Sequence, residues 1–281
     1  MDAEKHVDMF VELCAGTAAV SVRLQGGKYA RPPVSRMGSK TGYADCILKI
    51  MGLRPGQGAS HYIWCEPDAG VRLLLEAYRN HALAVAAANI IRGWADEELR
   101  ALWERLSAEG PVQHIEPREV ARWLTVGQLS YRQMQPGSGF NRTMLKDAAS
   151  PCWRLGLPGL ADVLLTLLTI PATIHPDALQ VDPQQLPPGC VVYIDPPYQG
   201  TTGYADDLPR AQVLALAMKW AQAGAAVYIS EAEPLDLPGW HHIDIAGERK
   251  GQKRTFSKQQ REVITCNVPP AWVPAVQTVL F

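Results

Sequence analysis

The run VVYIDPPYQG, Val191 to Gly200, carries an apolar stretch into a carboxylate, two prolines and a tyrosine. Pro196 and Pro197 each hold φ near one value and lack a backbone donor. The carbonyls of Asp195 and Pro196 are then left as outward acceptors beside the Asp195 carboxylate, and Tyr198 adds a flat ring. That combination suits a planar ligand bearing an NH2 group: the acceptors take its hydrogens while the ring face stacks on it. A second acid, Glu66, closes the apolar run HYIWC, where an acid can accept both hydroxyls of a ribose. A third, Glu12, precedes the small-residue turn Cys14-Ala15-Gly16-Thr17-Ala18, which lets backbone pass close to a ligand. With one glycine and no GxGxxG, this turn is not a phosphate loop. Six Lys/Arg and no acid run from Arg249 to Arg261, among them Lys250, Lys253 and Arg254; four and no acid run from Arg122 to Lys146, among them Arg132 and Arg142. Trp123, Tyr131 and Phe140 lie among the latter. Cations interleaved with aromatics fit a nucleic-acid surface, where Lys and Arg contact phosphates. His175, His241 and His242 show no ligand spacing.

These residues need elements to hold them. VDMFVELCAG, HYIWCEP, CVVYID and AAVYISE read as apolar strands ending in small or acidic residues, and REVITCNV as a final strand. TAAVSVRL, DAGVRLLLEAYRNH, ADEELRALWERLSAEG, REVARWLTVGQLSYRQM, ADVLLTLLT and RAQVLALAMKWAQAG have helical spacing. PGSGFNR reads as a loop, and ATIHPDALQV as a short strand and turn. Continuous apolar strands alternating with helices predict a mostly parallel sheet covered on both faces. In such sheets ligands sit beyond the carboxyl ends of the strands, where Asp195 falls. Residues 93–150 interrupt the alternation with helix and loop, and read as an insertion between 1–92 and 151–281.

Asp195-Pro196-Pro197-Tyr198 resembles the DPPY signature of S-adenosylmethionine-dependent amino-methyltransferases, most closely the DNA adenine-N6 methyltransferases of the Dam type. The resemblance extends over most of the chain. FVELCAGTAAVS is similar to the family's cofactor loop, implying cofactor contact by Glu12, Leu13, Cys14, Gly16, Thr17 and Ala18. SRMGSKTGYADCILKIM is similar to its GGK or GSK segment leading into a helix. This implies that Met37 and Gly38 approach the cofactor and that Lys40 pairs with its methionine carboxylate. YIWCEPDA is similar to the second strand with its ribose-binding acid, Glu66. Asp177 of IHPDAL stands where the family places an acid on the cofactor's adenine amino group. GSGFNRT is similar to the G-x-FN loop, which adds Asn141 and Arg142 to the DNA contacts. TFSKQQREVITCN is similar to the late segment whose Arg-Glu pair opens the last strands. Two departures stand out: Ala18 replaces a usual glycine, and the GSK segment follows the cofactor loop where it normally precedes it.

The resemblance implies a Rossmann-like α/β fold, S-adenosylmethionine as cofactor and DNA as partner. Asp195, Pro196, Pro197 and Tyr198 then form the catalytic rim, with Asp195 also near the cofactor and Tyr198 holding a flipped base by its ring face alone. Alternatives of the same chemistry are N4-cytosine or RNA adenine-N6 methylation; a catalytically decayed DNA-binding module is the non-enzymatic one.

The chain's 281 residues are enough for one large domain carrying an insertion, and its formal net charge of -1 means an anionic partner must be held by local patches. Six cysteines without CxxC spacing read as reduced and structural rather than as a zinc site. The N-terminal residues lack an apolar core of signal-peptide length. The longest apolar stretch, Leu155 to Ile170, is broken by Pro158 and Asp162. The expectation is a cytoplasmic protein without membrane association, a monomer or weak dimer.

Overall fold

The computed structural model describes residues 7–34, 38–130, 139–140, 156–198, 208–250 and 261–274. The described chain forms two compact units, one comprising residues 1–31, 40–67 and 171–281 and the other residues 32–39 and 68–170. This division differs from the expected insertion at 93–150: the helical unit begins at Asp68 and reaches Ile170, because the helices flanking that segment pack with those inside it.

The first unit is built on seven strands: β1 (Met9–Leu13), β2 (His61–Cys65), β3 (Ala172–His175), β4 (Val191–Ile194), β5 (Ala226–Glu231), β6 (His241–Asp244) and β7 (Val263–Cys266). They lie in the order β3-β2-β1-β4-β5-β7-β6. The first five are parallel, while β7 runs antiparallel to both β5 and β6. This is the mostly parallel, Rossmann-like α/β fold expected from the sequence. The chain moves from β1 outward to β3, then returns to lay β4 on the other side of β1. That reversal opens a crevice beyond the carboxyl ends of β1 and β4, the usual ligand position in such sheets.

Side chains alternate across the strands, and each face has its own helix. Val11, Leu13, Ile63, Cys65, Val192, Ile194, Val227 and Ile229 form one core with Val213, Leu216, Ala217 and Trp220 of α8 (Arg210–Gln222). The opposite face presents Glu12, Trp64, Tyr193 and Tyr228 (all buried), and α1 (Ala19–Gly26) covers part of it through Ser21. α2 (Ala44–Ile50) packs against α1.

The second unit is helical: α3 (Ala69–Arg79), α4 (His81–Gly93), α5 (Leu99–Ser107), α6 (Pro117–Leu129) and α7 (Gly156–Leu165). Asp68 caps α3 by accepting from the amides of Gly70 and Val71, and Asn80 caps α4 by accepting from Leu83. Pro117 starts α6, where its missing N–H costs nothing. α4 packs against both α6 and α7. No helix among the described residues is long and apolar enough to cross a membrane.

Candidate active site

Acidic side chains mark the carboxyl edge of the first unit's sheet almost strand by strand. Glu12 lies in β1, Glu66 follows β2, Asp177 follows β3, Asp195 follows β4, Glu231 closes β5 and Glu262 precedes the antiparallel β7. Glu12, Glu66, Glu231 and Glu262 are buried. Lys40 reaches into this row from a short 3-10 turn, Lys40–Gly42, and is itself only 5% exposed.

The turn after β1 is strained. Cys14, Gly16 and Ala18 all adopt left-handed φ, at 57°, 53° and 51°. Glycine does so freely, but the two non-glycine residues each hold a sparsely populated conformation. Such strain persists where the surroundings enforce it. Here Ala15 N donates to Cys65 O at 2.8 Å, Ala18 N to Ala15 O at 2.7 Å, and Gly16 N to Glu66 Oε2 at 2.8 Å. The absent glycine therefore does not abolish the turn, because Ala18 takes the left-handed shape itself. A Cβ built on Gly16 meets nothing within 4 Å, so the backbone there is bare and faces open space.

Glu66 joins the loop after β2 to that turn. It was expected to bind a ribose, against the simpler role of capping the next helix; the cap is Asp68 instead. Glu12 serves α1 from beneath: its Oε2 accepts from Ser21 N at 3.0 Å and from Ser21 Oγ at 2.5 Å. Burial pushes the Glu12 carboxyl up to about 7, against the pull of the Ser21 bonds. Glu12 thus shapes the turn from below, with Leu13 and Thr17 also buried. Asp177 caps the 3-10 turn Ala178–Gln180 by accepting from Leu179 N at 2.8 Å, the turn-forming role such an acid also has in isolation. Burial raises the Cys14 thiol well above its ordinary range, with Glu66 and Asp195 adding to the effect.

Asp195 continues the ladder beyond β4, its amide donating to Leu13 O at 3.1 Å. Lys40 Nζ donates to Asp195 Oδ1 at 2.6 Å. The Asp195 side chain keeps 18% exposure. Burial pushes its carboxyl up to about 6, Lys40 pulls it down, and Glu262 pushes it up again. Lys40, expected to pair with an incoming methionine carboxylate, has its ammonium on Asp195, 3.8 Å from Glu262 and 4.7 Å from the centre of the Tyr198 ring. Lys40 of the GSK segment therefore meets Asp195 although it follows the Cys14–Ala18 turn in the chain.

Tyr198 is not held by its ring face alone. Its hydroxyl donates to Glu262 Oε1, and the side chain is only 9% exposed. Burial, with Asp195 and Glu262 nearby, lifts this phenol well above its ordinary range. Behind it, Tyr193 and Ser230 share a hydroxyl–hydroxyl bond of 2.5 Å. Glu231 and Glu262 were assigned no role from the sequence. The available signal was an acid bordering an apolar strand, closing AVYISE and opening EVITC, the latter in the Arg-Glu pair that the resemblance marks. Burial pushes the Glu231 carboxyl up to about 7, opposed by a backbone bond from Ala232 and by Arg210.

The expected DNA contacts divide. Arg122 is 6% exposed; it pairs with Glu119 and donates to the carbonyls of Leu106 and Gly110. Its guanidinium is thus consumed inside the helical unit and is not presented to phosphate. Trp123 is buried against Gly70, and Phe140 packs on Trp103, so neither forms the expected surface aromatic. Arg249 lies over Gly42, while Lys250 keeps a 69% exposed side chain and pairs with Asp45 at 3.0 Å. Gly38 takes a left-handed φ of 85°. Met37, Tyr131, Arg132, Asn141, Arg142, Lys253 and Arg254 lie outside the described residues. Cys14, Cys46, Cys65, Cys190 and Cys266 are free thiols; Cys152 also lies outside. No group of His, Cys, Asp and Glu among the described residues is arranged to hold a metal.

The turn's bare glycine and the buried acid beside it fit a ribose-bearing cofactor, and the acid row fits one that carries positive charge. No protein-family profile matches the chain, and no curated protein matches it. Among solved structures, the chain is similar to the rRNA methyltransferase AviRa from Streptomyces viridochromogenes, at 13% identity and a TM-score of 0.35, covering 95% of this chain and 78% of that one. A likeness of that strength adds nothing about substrate or chemistry.

Proposed function

We propose that the protein transfers a methyl group from S-adenosylmethionine to the exocyclic N6 of an adenine in DNA. One observation carries this reading: a carboxylate, two donor-free prolines and a buried aromatic ring stand together at the switch point of the sheet, across from a strained turn with a bare glycine.

S-adenosylmethionine, when bound, supplies an electrophilic sulfonium methyl. Glu66 would accept from its ribose hydroxyls, and the Cys14–Ala18 turn would give it room beside Gly16. The acid row complements its positive charge. Asp195 and the Pro196 carbonyl accept the hydrogens of the target amino group and so direct the nitrogen's electron pair outward. The target nitrogen, in gaining the methyl group that the cofactor would give up to become a neutral thioether, must lose one proton. Asp195, with its carboxyl raised to about 6, is suited to receive that proton near neutral pH. An adenine inside a duplex cannot reach such a rim, so it is extruded from the stack first. Alignment of nitrogen, methyl and sulfur supplies much of the rate.

DNA would be held by local cations, of which Arg249 and Lys250 are the described members. The test is transfer of labelled methyl to a duplex, with mass spectrometry of the released nucleosides. N6-methyladenine from the wild type, lost in Asp195→Ala that still binds cofactor, is the expected result. Label on cytosine N4 alone, or on RNA adenine alone, overturns the substrate; an undiminished Asp195→Ala overturns the mechanism.

A further inference from the structure

Glu262 Oε1 serves two groups at once. It accepts the Tyr198 hydroxyl, and it lies 3.8 Å from Lys40 Nζ. Lys40 in turn donates to Asp195 Oδ1 at 2.6 Å. Asp195 and Tyr198 are three residues apart on one segment stiffened by Pro196 and Pro197. Lys40 and Glu262 therefore join the two ends of that segment from outside, closing a ring of four side chains. Glu262 is 2% exposed and sits just before the antiparallel β7, which delivers it to the carboxyl edge of the parallel strands.

We propose that Glu262 is a positioning residue for the amino-accepting rim: one carboxylate oxygen fixes the Tyr198 ring by its hydroxyl and restrains Lys40 against Asp195, so that ring plane and acceptor are set together. The proposal rests on the reading of the rim as an amine-methylating site. Glu262 touches neither the target base nor the cofactor in this arrangement; it acts through Tyr198 and Lys40.

The physical content is twofold. Without Glu262 the buried phenol loses the acceptor of its hydroxyl, and the ring loses the bond that sets its plane. In addition, two carboxylates share one ammonium. Neutralising Glu262 removes a negative charge near Asp195, so Asp195 ionises at lower pH. The other titratable groups that face Asp195 are Glu12 from β1, Cys14 from the turn, Tyr193 from β4, Glu231 from β5 and Tyr198 from its own segment. None of them is altered by the substitution.

The test compares Glu262→Gln, Glu262→Ala and Tyr198→Phe in the full chain. The ring Cζ carbons of the nine tyrosines are labelled with carbon-13, and the Tyr198 signal is assigned by its loss in Tyr198→Phe. That signal should move in Glu262→Ala; an unmoved signal overturns the proposal whatever the activity. Single-turnover transfer should slow in Glu262→Ala by up to about a hundred-fold, with S-adenosylmethionine affinity held within about two-fold. Glu262→Gln keeps an acceptor oxygen and should recover most of the rate, with the acid limb of its pH–rate profile at lower pH than in the wild type. Equal loss of rate and cofactor affinity, or an acid limb that stays in place, assigns Glu262 a merely structural role. If the Tyr198 signal moves as expected but the wild type methylates no nucleic acid, the proposed function falls while the tie between Glu262 and Tyr198 stands.

Discussion

Lys40 and Asp195, 155 positions apart in the chain, meet as a part-buried ion pair with Nζ and Oδ1 2.6 Å apart. The pair sets the charge of the rim. Lys40 opposes the effect of burial on Asp195, whose carboxyl stands at about 6. Asp195 can take up the amino proton only when ionised, so the transfer rate should rise through about pH 6 in the wild type. Lys40→Met removes the downward pull. Its acid limb should move to higher pH, and at pH 7 a smaller fraction of the enzyme should be competent. Single-turnover rates from pH 5 to pH 9 check this; an unmoved limb shows that Asp195 does not govern the rate.

Glu66→Ala removes the acid proposed for the ribose and also frees the Gly16 amide. Loss of a charged hydrogen bond costs about 1.5–3 kcal/mol. S-adenosylmethionine should bind roughly ten- to a hundred-fold more weakly by titration calorimetry. Unchanged affinity in a folded variant removes Glu66 from the cofactor site.

Gly16→Ala places a methyl group on a left-handed residue with open space above it. The backbone strain should lower stability by about 1–2 kcal/mol, measured by urea unfolding. If the open space is where the cofactor passes, affinity for S-adenosylmethionine falls as well. A variant that loses stability but binds cofactor as tightly as the wild type shows that the ligand keeps clear of Gly16.

Arg122→Ala should behave as a core substitution. It leaves Glu119 and two carbonyls without this partner inside the helical unit. Glu119 keeps Arg118 at 3.8 Å, so the cost is about 1–3 kcal/mol, read as a shift in denaturant unfolding. The salt dependence of DNA binding should be unchanged, whereas a phosphate contact would lower its log–log slope by about 0.9.

Gly70→Ala tests the packing between α3 and α6. A Cβ at Gly70 would stand 2.1 Å from Trp123 Nε1. The indole must shift, and overpacking of this kind costs about 1–3 kcal/mol. Thermal unfolding with indole fluorescence reports both the loss and the movement; an unaltered midpoint and spectrum show that the ring has room to yield.

The strands that carry the site were legible in the sequence because a strand buried on both faces is a continuous apolar run. HYIWC, VVYI and AVYIS each satisfy that, and the acid after each run marks the ligand-facing edge. The prolines of Asp195-Pro196-Pro197-Tyr198 likewise declare their own rigidity. Elements defined by their neighbours were harder to see. β6 reads HHID, half of it exposed, and is a strand only because β7 offers it an edge. α4 is rich in alanine and follows α3 with Asn80 alone between them, and the sequence pattern shows a helix only as far as His81, leaving α4 unread. Partner choice was decided by tertiary structure alone. A lysine, a glutamate and a tyrosine have many possible partners in a sequence; burial leaves each very few. Lys40 lies between Asp195 and Glu262 because an ammonium taken out of water must sit on a carboxylate. Arg122 turned inward for the same reason: Glu119 lies one helical turn before it, and the carbonyls of Leu106 and Gly110 come within its reach only after folding.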